Sequence, residues 1–63
     1  MSSELAELSS MGATIDEVLG RITLIAERYH AAERDDVAND LFEVERALRT
    51  AGRRIQRAQK TLS

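Results

Sequence analysis

The amino-acid sequence predicts an all-α fold: an antiparallel, coiled-coil-like two-helix hairpin that pairs with a second copy to form a four-helix bundle. Three observations lead there. The first is composition. The 63 residues include no proline, no cysteine and only three glycines, which leaves little turn chemistry for the many short strands of a small β-fold. Ala, Leu, Glu and Arg, all strong helix formers, make up about half of the chain. The second is a heptad spacing of apolar residues that runs almost end to end. The third is a slip in that spacing near residue 35, where one helix gives way to another.

The first helix is expected over about residues 3–34. Leu8, Met11, Ile15, Val18, Ile22, Ile25, Tyr29 and Ala32 follow one another at alternating steps of three and four, which places them on one helix stripe. Thr14-Ile15-Asp16-Glu17 has the form of a capping box and marks an alternative start, with residues 9–13 a weak point around Ser9, Ser10 and Gly12. Matching lengths favour the earlier start. Folding the chain at residue 35 sets Ile15 opposite Ile55 and Leu8 opposite Leu62, so a helix from Ser3 equals its partner.

The second helix is expected over about residues 36–62, with Val37, Leu41, Val44, Leu48, Ala51, Ile55, Ala58 and Leu62 as its stripe. Ala32 and Val37 hold equivalent positions five residues apart, where seven would keep the register. That slip favours a turn, with Asp35 or Asp36 as the N-cap and Asp40 and Glu43 near the positive end of the helix dipole. One continuous helix is the alternative, because no glycine follows Arg34 and a straight helix drifts enough to absorb part of the slip.

With Ile15 and Leu41 at heptad position a, several apolar residues fall beside the stripe. Leu5, Leu19 and Ala26 lie at e on the first helix; Ala38 and Gly52 lie at e on the second, with Phe42 at the adjoining b. The e edges of an antiparallel pair share one side, so these residues form a flank that a lone hairpin leaves wet. A 63-residue chain without disulfides seldom builds a sufficient core alone. Self-association through Leu5, Leu19, Ala26, Ala38 and Phe42 into a homodimeric bundle follows as the expectation. On the opposite edge Arg28 is expected to face Asp40, an exposed pair worth at most about 1 kcal/mol.

Charge is distributed unevenly. All eleven acids lie in residues 1–45, where only Arg21, Arg28 and Arg34 oppose them; residues 46–63 carry six basic residues and no acid. Arg46, Arg49, Arg53, Arg57 and Lys60 recur at steps of three and four, forming a basic ridge that faces away from the stripe. The plainest reading is a solvated face that complements its own helix dipole and nearby acids. As a recognition surface it suits an acidic protein partner, because guanidinium groups bind carboxylates in a bidentate fashion. Nucleic acid ranks below that: the chain is acidic overall, with pI ≈ 5.3, and no aromatic interleaves the arginines for base stacking.

Glu27-Arg28-Tyr29-His30 contains a Glu-x-x-His step, which sets a carboxylate and an imidazole one turn apart. The step resembles half of the ligand set in ferritin-like di-iron bundles. In this register Glu27 and His30 point away from the stripe, so they are weak metal candidates that need a subunit interface to complete a site. A surface histidine beside an acid is the commoner meaning, and no metal or other cofactor is expected. No glycine-rich phosphate loop occurs, and no Ser or Thr is placed with both a base and an orienting acid. The chain reads as a non-enzymatic interaction module: an adaptor, an anti-factor or an oligomerising subunit. No apolar run reaches the roughly 18 residues of a membrane span, and Met1 to Ser10 lack the pattern of a secretory leader. No membrane partner and a cytoplasmic location are the expectations.

Overall fold

The computed structural model describes residues 3–63. Two long helices, α1 (Ser3–Ala31) and α2 (Asp35–Leu62), lie antiparallel against each other as a hairpin. The continuous-helix alternative is thereby excluded. The helix α1 passes through residues 9–13 without a break, so the capping box at Thr14 goes unused. The Thr14 hydroxyl instead donates to the carbonyl of Ser10 at 3.2 Å, the back-bonding that a mid-helix threonine makes to the preceding turn.

The turn ends α1 three residues earlier than the sequence suggests. Arg34 N–H donates to Tyr29 C=O at 2.8 Å and Glu33 N–H to His30 C=O at 3.0 Å. These two bonds are the 6→1 and 5→2 closures of a Schellman motif, with Glu33 at the C′ position normally taken by glycine. Glu33 holds φ at 60°, in the left-handed region. Arg34, rather than Asp35 or Asp36, is the N-cap of α2, and its side chain makes no capping hydrogen bond. Both aspartates sit in the first turn of α2, where the dipole still favours their charge.

Between the helices the observed seam differs from the expected one by a rotation of each helix. Leu5, Leu8, Gly12, Ile15, Leu19, Ile22 and Ala26 of α1 meet Ala38, Leu41, Glu45, Leu48, Gly52, Ile55 and Gln59 of α2. These are positions a and e, not a and d. The cause is side-chain size: glycine and alanine recur at e, at Gly12, Ala26, Ala38 and Gly52, and they let the two backbones approach closely. A methyl group built on Gly12 would lie 3.8 Å from Ile55 Cγ2, and one on Gly52 would lie 3.8 Å from Ile15 Cγ2. The helices are thus staggered three residues from the expected pairing of Ile15 with Ile55.

Among the described residues only Ala26 and Ala38 are fully buried, and no large side chain is. The seam is an interface between two helices rather than an enclosed core. The molecule is correspondingly elongated, with backbone extents of 49 × 14 × 10 Å and a radius of gyration of 14.5 Å, against about 10.6 Å for a globule of this length.

Candidate interaction surfaces

The rotation of the seam exchanges inside and outside at the residues singled out for self-association. Ala26 and Ala38 have no exposed surface, and Leu5, Leu19 and Phe42 are partly covered within the hairpin. Ala26 and Ala38 of that flank are therefore taken up by the hairpin itself, while Leu5, Leu19 and Phe42 stay half-covered at its edge. What the rotation leaves in solvent is the d row of α1 together with Val44 and Ala58 of α2, while Val37 and Ala51 are half-buried. Met11 (47% exposed), Val18 (36%) and Ile25 (38%) of α1 recur every seven residues, and Val44 (42%) stands among Val37, Ala51 and Ala58 on α2. In an antiparallel pair equivalent heptad positions share a side, so both d rows line one face of the hairpin. Tyr29 and Leu62, expected in the stripe, are exposed at its two ends. Near the turn, Ile25, Arg28, Tyr29 and Ala32 line an open, mostly apolar depression.

Around this face stand charged residues at position g: Glu7, Arg21 and Arg28 on α1, Asp40 and Arg54 on α2. The expected Arg28–Asp40 contact is not made among the described residues. Position g lies about 140° round the helix from the a/e seam at 100° per residue, so the two side chains project from the same face without reaching each other.

The opposite face is polar and partly self-satisfied. Glu45, half-buried between the helices, accepts a hydrogen bond from the Thr23 hydroxyl at 2.7 Å and another from Arg49 at 3.0 Å. These two donors, Thr23 foremost, hold the Glu45 carboxyl below its usual range. No apolar periodicity points to Thr23 or Glu45, and only their placement at adjoining b and e positions signals the pair. Arg46 bonds Glu43 at 2.7 Å and Arg53 donates to Thr50 at 3.4 Å. The ridge is thus engaged locally at Arg46, Arg49 and Arg53. Arg57 and Lys60, towards the end of α2, are exposed and form no ion pair among the described residues.

At the turn, His30 Nδ1 lies 3.1 Å from Asp35 Oδ1, and its ring meets Phe42 edge to face at 6.3 Å. Its carboxylate neighbour is Asp35 across the turn, where the sequence pointed to Glu27. No group of three or more His, Cys, Asp or Glu suited to a metal occurs among the described residues. Arg34 grips Asp36 through two hydrogen bonds of 3.1 and 3.2 Å; these raise the pKa of the Arg34 guanidinium and, with the Val37 N–H, lower that of the Asp36 carboxyl. Among the described residues no helix is long and apolar enough to cross a membrane. No protein-family model, curated relative or solved structure matches this chain.

Proposed function

We propose that this chain is a cytosolic, non-enzymatic protein–protein interaction module that works as a homodimer, presenting the basic ridge of α2 to an acidic protein surface. One observation carries the self-association: Met11, Val18, Ile25 and Val44 stand in solvent on one face of the hairpin, while only two of the described residues are fully buried. Area supports it. The hairpin exposes 4872 Å², whereas a folded monomer of 7.0 kDa exposes about 4,000 Å². The surplus is of the order one partner contributes to a standard interface, about 800 Å². Packing two hairpins through these faces gives a four-helix bundle whose centre is filled by positions a and d.

Sedimentation at micromolar concentration tests the reading. A particle of twice the 7.0 kDa chain mass is the expected result, and a fully helical monomer overturns it. The ridge is tested separately. Arg57→Glu and Lys60→Glu are expected to leave dimer mass and helicity unchanged while abolishing capture of an acidic partner. Retention of DNA or RNA at low salt, lost steeply as salt rises, would instead mark the ridge as a phosphate-binding strip.

A further inference from the structure

The exposed apolar residues of α1 are spaced symmetrically about Val18, and this fixes how a second copy fits. We propose that two hairpins pack face to face and antiparallel, α1 on α1 and α2 on α2, about a two-fold axis that lies in the interface and crosses α1 at Val18. The proposal rests on the self-association above and adds its geometry. On α1 the exposed d residues are Met11, Val18 and Ile25, so an antiparallel copy centred on Val18 sets Met11 against Ile25 of the partner subunit and Val18 against the partner subunit's Val18. On α2 the same operation sets Val44 against the partner subunit's Ala51, and Val37 against the partner subunit's Ala58.

The rims agree with the core. In antiparallel helix pairs position g faces position g. About the same centre, Glu7 meets Arg28 of the partner subunit and Asp40 meets Arg54 of the partner subunit. The two-fold doubles each contact, giving four ion pairs from residues that make none within the hairpin among the described residues. One axis serves both helices. The contacts of Gly12 with Ile55 and of Ile15 with Gly52 put Val18 level with residue 49, and the d row of α2, Val37 to Ala58, centres between residues 47 and 48. The mismatch is about 2 Å at 1.5 Å per residue.

Long-range charge selects this arrangement over its rival, in which α1 lies on α2 of the copy and the two turns sit side by side. Residues 21–45, the turn half, carry seven acids and three arginines, a net −4; the remaining residues carry four acids and six basic residues, a net +2. Antiparallel stacking lays each acidic turn half on a basic open half. The rival sets −4 beside −4 and retains one kind of rim pair, Arg28 with Asp40 of the partner subunit.

Because the chain has no cysteine, single cysteines read the geometry directly. Val18→Cys is expected to give a disulfide-linked dimer under a glutathione redox buffer. Met11→Cys alone stays unlinked, whereas a mixture of Met11→Cys and Ile25→Cys links across chains. Glu7→Arg is expected to weaken the dimer about tenfold, by turning two attractive exposed pairs repulsive. The exchange Glu7→Arg with Arg28→Glu restores it to within about twofold. Circular dichroism confirms that each variant is still helical. A dimer in which Val18→Cys and the Met11/Ile25 mixture both stay unlinked, or in which Val18→Cys links only to Ala51→Cys, overturns the arrangement and leaves self-association standing. A monomer by sedimentation overturns both.

Discussion

Glu33 is the residue at which the chain departs most from its own local preferences. An L-residue in the left-handed region carries a cost of roughly 1–2 kcal/mol that glycine avoids, and the two Schellman bonds hold it there. Glu33→Gly is expected to stabilise the hairpin by about 1 kcal/mol in urea denaturation, with helicity unchanged. Nothing in Glu-Arg-Asp-Asp announces a helix C-terminus, which explains why the turn was legible as a phase slip but not as a cap. Glu45 is the second departure, a half-buried carboxylate in an apolar seam. Its carboxyl is depressed, so its contribution to stability is fully present above the ordinary carboxylate range and is lost as pH falls through the lowered folded value. Thr23→Val removes the leading donor. In an NMR titration the Glu45 carboxyl should then shift upward towards its usual value; a titration identical to the parent's would show that Thr23 does not act on it.

The two helices were legible because heptad spacing and helix-forming residues agree over long stretches, whereas the capping signals at Thr14, Asp35 and Asp36 go unused. Which face turns inward was not. Each helix carries apolar residues at d, a and e, an arc of about 100°, and one partner helix covers only part of it. Either d or e must be left out, and apolar periodicity weighs them equally. Small side chains decide: Gly12 and Ala26 on α1, Ala38 and Gly52 on α2, permit a backbone approach that Met11, Val18, Ile25 and Val44 would block. Enlarging one of them therefore acts on the whole seam. Ala38→Leu is expected to destabilise the hairpin by about 1–3 kcal/mol through overpacking, although leucine is as good a helix former as most. An unchanged urea midpoint would show that the small e residues do not set the separation of the helices. Gly20 offers the contrast, since a methyl group there meets nothing within 4 Å. Gly20→Ala should add about 1 kcal/mol from helix propensity alone.

A hairpin with two fully buried alanines has little of the burial that offsets chain entropy, and its exposed d face is the surface on which the shortfall can be met. If folding and pairing are coupled, stability depends on mass action. A tenfold rise in protein concentration then adds about 1.4 kcal/mol per dimer to apparent stability, and the small unfolding entropy of so short a chain turns that into several degrees of Tm. Val18 separates this from a monomer that is stable alone. It is 36% exposed in the hairpin, so a glutamate there could keep its charge in water and, in a monomer, should cost no more than an ordinary surface change of about 0.5 kcal/mol. Across a two-fold axis the same change brings two carboxylates together in an apolar face. Val18→Glu is accordingly expected to lower Tm steeply and abolish its dependence on concentration. A parent protein whose Tm is constant from about 5 to 500 µM, with Val18→Glu melting beside it, would show that the two helices suffice by themselves.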